Sequence, residues 1–247
     1  MTSFFTRYAR QGEHEQVWNE LRRLGPVPGA FEEDVVAVAT ATMERFARHV
    51  VRLAEALPEL GFVRASEGLP PHQPPTEATP AAVREMEEAV GPLPAALKAS
   101  FLTVGDVSFL GDCPALGLHY HGGFEPEPGP PGVEYPDPLD VAGVEHLRYE
   151  WEAYTEDPDG DDGDDEEFLF SIAPDEFHKA NVSGGTHDVV LPDACADPEV
   201  YGVRGRKGIT LVEYLRTSIA WGGLPGWEFA PGRPPAALER LAVRPDF

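Results

Sequence analysis

His119 and His121 come closer to a metal-binding arrangement than any other pair of side chains in this sequence. Two apart on an extended segment, their imidazoles point to one face. With Cys113, Asp112 or His187 they could complete the three or four N, S or O ligands that zinc takes, and so support a metal-dependent hydrolase. The plainer use of the pair is as the polar end of a strand, and no HxxxH or HExxH accompanies it. Ser171, Ser183 and Ser218 lack the G-x-S-x-G elbow of a serine nucleophile. Residues 182–186 hold two glycines but no following lysine and no P-loop spacing, so they read as a turn. Aspartates and glutamates pair in so many ways that none is marked for acid–base work. Asn181-Val-Ser183 fits a glycosylation sequon that a cytoplasmic chain would not use. The sequence therefore predicts no catalytic residue, no metal and no cofactor.

The strongest local signal is charge. Nine of the twelve residues 156–167 are acidic. A calcium loop of the EF-hand type needs glycine at its sixth position and glutamate at its twelfth. Counted from Asp157, those positions hold Asp162 and Phe168, so the pattern fails. A solvated loop or a contact with a basic partner remains, and Asp161, Asp162, Asp164 and Asp165 are the candidate contact residues. Two turn aspartates, Asp106 and Asp112, join them. Aromatic side chains set in an acidic surface can anchor an interface. Phe109, Tyr120, Tyr149, Trp151, Tyr154 and Trp227 are the candidates, each of which could instead fill the core.

The whole chain extends that balance. Its 247 residues carry 19 Lys and Arg against 43 Asp and Glu, a net charge of -24. Residues 1–72 account for -2 and residues 73–247 for -22. An acidic body of this kind repels nucleic-acid phosphates and anionic lipid, and steers basic partners toward it. Two cysteines, Cys113 and Cys195, are too few for a disulfide framework. With no apolar run of about 18 residues and no signal-like N-terminus, a cytoplasmic location without membrane or nucleic-acid contact is expected.

Several elements must position these groups. Residues 209–227 read as one capped helix. Thr210 and Glu213 form a capping box, Leu211, Val212, Leu215 and Ile219 an apolar stripe, and Gly222-Gly223 the stop. It should pack, with Trp221 and Trp227, on a sheet made by the preceding segments. A short helix over 13–24 and a long one over 32–60 form an N-terminal hairpin in residues 1–63. The apolar stripe of the long helix must meet either the rest of the chain or a second copy, which leaves a homodimer or a regulatory scaffold open. Residues 64–78 read as a proline-rich linker without regular structure. Beyond it, in 79–247, helices over 79–90 and 95–103 precede strands at 107–110 and 115–121. A mixed helical segment covers 141–154, strands follow at 168–172, 189–191 and 200–203, and 234–241 forms a last short helix. Thr79 should cap the first of these helices, and Leu97, Phe101 and Leu102 should face inward from the second. The order is α+β, with a mostly antiparallel sheet and helices packed on it.

Two stretches also carry a resemblance. Met86-Glu-Glu-Ala-Val-Gly-Pro-Leu-Pro94, Leu97-Lys98, Phe101-Leu102, Gly105 and residues 107–111 are similar to the opening of the SUKH superfamily. Leu211-Val-Glu-Tyr-Leu-Arg216 with Trp221-Gly-Gly-Leu-Pro-Gly226 resembles the closing helix of a bacterial branch of that group. The superfamily includes Smi/Knr-type cell-wall-assembly regulators and bacterial toxin-immunity proteins. The resemblance covers about residues 79–227 and rests on packing and turn residues. Gly105-Asp106 stands where a glycine pair is usual, and the N-terminal hairpin lies outside the common core. It implies an antiparallel sheet backed by helices, and a protein-binding function without catalysis. Combined with the charge, it points to an immunity protein that binds a basic toxin domain.

Overall fold

The computed structural model describes residues 2–66, 68–121, 135–156, 167–229 and 233–247. Seven helices lie among them: α1 (Phe4–Thr6), α2 (His14–Arg22), α3 (Glu32–Ala56), α4 (Thr79–Val90), α5 (Ala95–Thr103), α6 (Val144–Glu156) and α7 (Leu211–Ala220). Short antiparallel strands run between them. β1 (Val63–Arg64) pairs with β4 (Gly111–Asp112), and β3 (Asp106–Ser108) is flanked by β2 (His72–Gln73) and β5 (Asp140–Val141). β6 (Phe168–Pro174) pairs with β7 (Thr186–Leu191). A main-chain bond from Ala142 N to Ile172 O (2.8 Å) sets β5 beside β6. The architecture is α+β with small antiparallel sheets, as the order of elements predicts.

The long helix shows why the pieces cohere. Its stripe of Val35, Val38, Ala39, Met43, Phe46, Val50 and Leu53 is buried, and it packs most extensively on α5. Thr42 lies in the same stripe, where its hydroxyl accepts from Trp18 Nε1 (3.1 Å) and stands 2.8 Å from Tyr8 OH. The surface that could have met a second copy is thus consumed within the chain. The C-terminus closes over the same helix. Arg45 donates to Asp246 O (2.6 Å), and the Phe46 and Phe247 rings meet edge to face with centroids 5.9 Å apart.

The capping box predicted for α7 is present, with Glu213 N donating to Thr210 Oγ1 and Thr210 N to Glu213 Oε2. Gly222 and Gly223 follow with φ of 61° and 88°, the left-handed geometry that stops a helix. The partner surface of α7 differs from the expected sheet. It packs against α3 and α5 and touches the sheet through Tyr214, whose ring meets that of His187 at 5.5 Å.

Other expectations are corrected. The strand expected at 115–121 is a 3-10 turn, Pro114–Leu116, closed by Gly117 at φ 77° and a single bridge between Cys113 and Leu118. Pro114 fixes φ and removes a ladder donor, and Gly117 turns the chain back. At 200–203 only isolated bridges form, Asp188 with Tyr201 and Glu199 with Thr210. Gly202 bends the segment at φ 79°, and a Cβ there would lie 2.1 Å from Thr186 O. The segment 64–78 is not free of regular structure: Arg64 pairs with Gly111, and His72 and Gln73 extend the β3 ladder. Thr79 starts α4 from inside the helix, its hydroxyl accepting from Thr76 N (2.9 Å) instead of capping. Leu102 is 38% exposed, on the outer side of α5. The last helix shrinks to a 3-10 turn, Leu238–Arg240.

Candidate functional site

Strand alternation builds the floor of a groove. Val107 and Val141 turn into the core, so their neighbours Asp106, Ser108 and Asp140 turn outward. Register places Ser108 opposite Asp140, and Ser108 Oγ donates to Asp140 Oδ2 at 3.1 Å. The start of α6 forms one wall. Gly143 N donates to Asp106 Oδ1 (2.8 Å), which seats that carboxylate at the positive end of the helix. A Cβ on Gly143 would come within 2.5 Å of Asp106 Oδ2, so glycine is what lets the two meet. One turn on, His146 Nε2 lies 3.0 Å from Glu150 Oε1, and Glu150 Oε2 accepts from Ser171 N of β6 (2.9 Å). Arg64 of β1 lines the groove as well, which is open to solvent and has a volume of about 880 Å³.

The charges in this groove are not all matched. Burial pushes the Asp140 carboxyl up to about 6, against the pull of Lys179, Ser108 and His146. The hydrogen bond to Glu150 raises the His146 imidazole, with burial opposing it. Burial lowers the Arg64 guanidinium while the charge of Asp140 partly restores it. Among the described residues, Arg64 Nε and Nη1 have no hydrogen-bond partner. Beneath the floor a fully buried set balances itself: Lys179 Nζ reaches Asp137 (2.6 Å) and Tyr214 OH (3.1 Å), with His187 3.5 Å from Asp137.

The partner-contact residues expected from the sequence separate into four groups. Asp106 lies on the groove floor, and Trp151 is on α6, half-buried, stacked on Tyr154 and edge-on to Phe168 with centroids 5.1 Å apart. Tyr149 and Tyr154, on the same helix, are 68% and 45% exposed. Phe109 and Trp227 are corrections: at 1% and 5% exposure they are spent on the core. Asp112 is occupied by His121, whose ring and backbone N both bond it; burial raises its carboxyl, and those bonds bring it below the usual range. Asp161, Asp162, Asp164 and Asp165 lie outside the described residues.

The metal reading built on His119 and His121 loses its strand, and with it the shared face. His121 turns to Asp112, and buried Cys113 directs its thiol at Leu60 O. Among the described residues no three His, Cys, Asp or Glu side chains converge to hold an ion. Ser108, a hydroxyl on the groove floor, meets the Asp140 carboxylate directly, while the nearby imidazole of His146 is engaged by Glu150. What the groove can do chemically is hold a charged group against Asp140 and Asp106.

Arg64, Ser108, Asp140, His146 and Glu150 are the site residues that sequence reasoning missed. Only His146 and Glu150, four apart on a helix, carried a signal.

Comparisons with protein-family models, with curated proteins and with solved structures found no match to this chain. Among the described residues no helix is long and apolar enough to cross a membrane.

Proposed function

We propose that this chain is a SUKH-like protein-binding domain without catalytic activity, and that it acts as an immunity protein neutralising a basic toxin domain. The observation that carries the reading is the acid-lined groove with the exposed Tyr149 ring stacked on His146 of its wall, in a chain of net charge -24. Carboxylates beside accessible tyrosines suit lysine and arginine, which take both an ion pair and a ring face. A field of one sign brings such a partner in quickly and rejects acidic competitors.

Co-expression with the product of a neighbouring toxin-like reading frame tests the proposal. Rescue of growth and co-purification of a stoichiometric complex are expected. Association should slow by about tenfold or more between low and high salt, as exposed charges are screened. A toxin neutralised at a rate indifferent to salt, or no rescue by the full chain, overturns it.

A further inference from the structure

Residues 242–247 run over α3 and α7 as a strap without regular secondary structure. Leu241 fixes one end: it is buried, and its carbonyl accepts from Arg52 Nη2 (2.7 Å). Phe247 fixes the other, 2% exposed, with its ring centroid 5.9 Å from those of both Phe46 and His49. Arg244 and Asp246, between them, are exposed. Side chains of the body hold the far end. Arg45 donates to Asp246 O and Arg216 Nε to Phe247 O, each at 2.6 Å, and His49 Nε2 stands 2.9 Å from Asp246 Oδ1. Arg45, His49 and Arg52 recur at helical spacing, so one face of α3 supplies three of these four side chains. Arg45 is also held by His14 Nε2 (2.6 Å) and lies over the Tyr8 ring (5.1 Å), so its place is set without the strap. A buried aromatic anchor and preset donors aimed at main-chain carbonyls are what a groove offers a bound peptide. Six residues with one buried side chain and no ladder belong to the low-stability end of a fold. The closed state is also imperfectly matched: Arg52 Nε and Arg216 Nη2, on guanidiniums that hold the strap, are buried without a hydrogen-bond partner among the described residues.

We propose that the face of α3 and α7 beneath residues 242–247 is a peptide-binding groove, filled in cis by this strap and able to release it. The group it recognises is an aspartate followed by phenylalanine in an extended segment. Phe46 and His49 take the ring, His49 takes the carboxylate, and Arg45 and Arg216 take the two main-chain oxygens. None of these residues lines the acidic groove over β3 and β5, and the charge they favour is the opposite one. The inference therefore goes beyond the proposed function and stands or falls without it.

The test uses the full chain and its Phe247→Ala variant, which removes the anchor and leaves every groove residue in place. The probe is the hexapeptide Ala-Val-Arg-Pro-Asp-Phe, the sequence of the strap, with fluorescein on its first residue. Fluorescence anisotropy should show saturable binding to Phe247→Ala. The wild type should bind at least tenfold more weakly, because its own strap competes at an effective concentration of about a millimolar. A peptide with alanine in place of phenylalanine should bind neither chain. Arg216→Gln added to Phe247→Ala should weaken the hexapeptide by about tenfold, as the loss of a charged donor predicts. Amide shifts on binding should centre on residues 45–52 and 214–218. Equal affinity for the wild type and Phe247→Ala, equal binding of the peptide that lacks phenylalanine, or no saturation at all overturns the groove. A Phe247→Ala chain that loses its fold by circular dichroism overturns it as well, because Phe247 would then be a fixed part of the core instead of a releasable anchor.

Discussion

An ionised Asp140 destabilises the chain that holds it. Its carboxyl is raised from 3.8 to about 6, so the folded chain binds this proton more tightly than the unfolded one does. The stabilisation that comes with protonation is complete below about pH 4 and is lost as pH rises through about 6. Asp140→Asn removes the charge, and at pH 7.5 it should stabilise the protein by about 1–2 kcal/mol. That is less than the full shift implies, because the groove is open to water. At pH 4 the same substitution should change little. Urea unfolding at both pH values checks this; destabilisation at pH 7.5 would contradict it. A side chain kept charged at the expense of stability fits a role in binding. The ionisation also sets when the groove can take a cation. Arg64, Asp106, Glu150, His146, His178 and the buried Lys179 are the charged or titratable groups that line the groove or act on Asp140. Above about pH 6 Asp140 becomes anionic, and His146, raised by Glu150, loses its positive charge as pH rises further. Both changes favour a bound cation, so the affinity for a basic protein partner should climb between pH 5 and pH 8; a flat profile would contradict the proposed function. Little of this was legible in the sequence. Asp106 could be singled out as a turn aspartate, but Asp140 meets Ser108 through a pairing across 32 positions that only the folded register defines. Arg64 sat in a proline-rich stretch that offered no reason to look for a strand.

Between elements, one polar tie runs from α2 to the start of α7. Arg22 Nε bonds Asp197 Oδ2 (2.9 Å) and Arg22 Nη1 bonds Glu213 Oε1 (2.7 Å), while Asp197 Oδ1 accepts from Val212 N (3.0 Å). The Asp197 side chain has no exposure, and burial raises its carboxyl despite Arg22 and Val212 N. Arg22→Ala would strand that charge, and should cost about 3 kcal/mol in chemical unfolding. Thr210→Ala, which removes the cap and the hydroxyl's bond to Asp197 but leaves Arg22 in place, should cost about 1 kcal/mol. Equal effects for the two would mean that Asp197 finds other partners or takes up a proton. These helices were readable because their signals are local. The stripes of α3, α4 and α7 repeat every three or four residues, and Thr210 with Glu213 marks an end by chemistry as well as by period. The strands were not. β1, β2, β4 and β5 are two residues long, too short for alternation to show, and each exists because a partner distant in sequence completes its hydrogen bonds. The same reason explains the failure at 115–121, where alternating apolar residues proved to be two buried leucines on either side of a glycine turn.

Across the whole molecule, one apolar core runs from Tyr8 through α3, α5 and α7 to Phe247. The proline-rich stretch after residue 63 suggests a hairpin that could be removed, yet β1 and β2 complete two of the three small sheets, and α3 covers α5 and α7. Burial of a side chain such as Phe46 or Leu53 stabilises by about 2 kcal/mol, and several would become exposed together if α3 left. The full chain should therefore unfold in a single transition, with tryptophan fluorescence, which reports Trp18 in the hairpin and Trp227 beyond it, coinciding with circular dichroism. A chain beginning at residue 73 should be molten or insoluble, because it would bare the face of α5 that α3 now covers. Two separated transitions, or a folded 73–247 fragment, would make the hairpin an independent module and restore the scaffold role that its amphipathic helix first allowed. If the single transition holds, the acidic groove rests on a body that cannot shed its N-terminal helices, and a partner meets a preformed surface with little ordering to be done on binding.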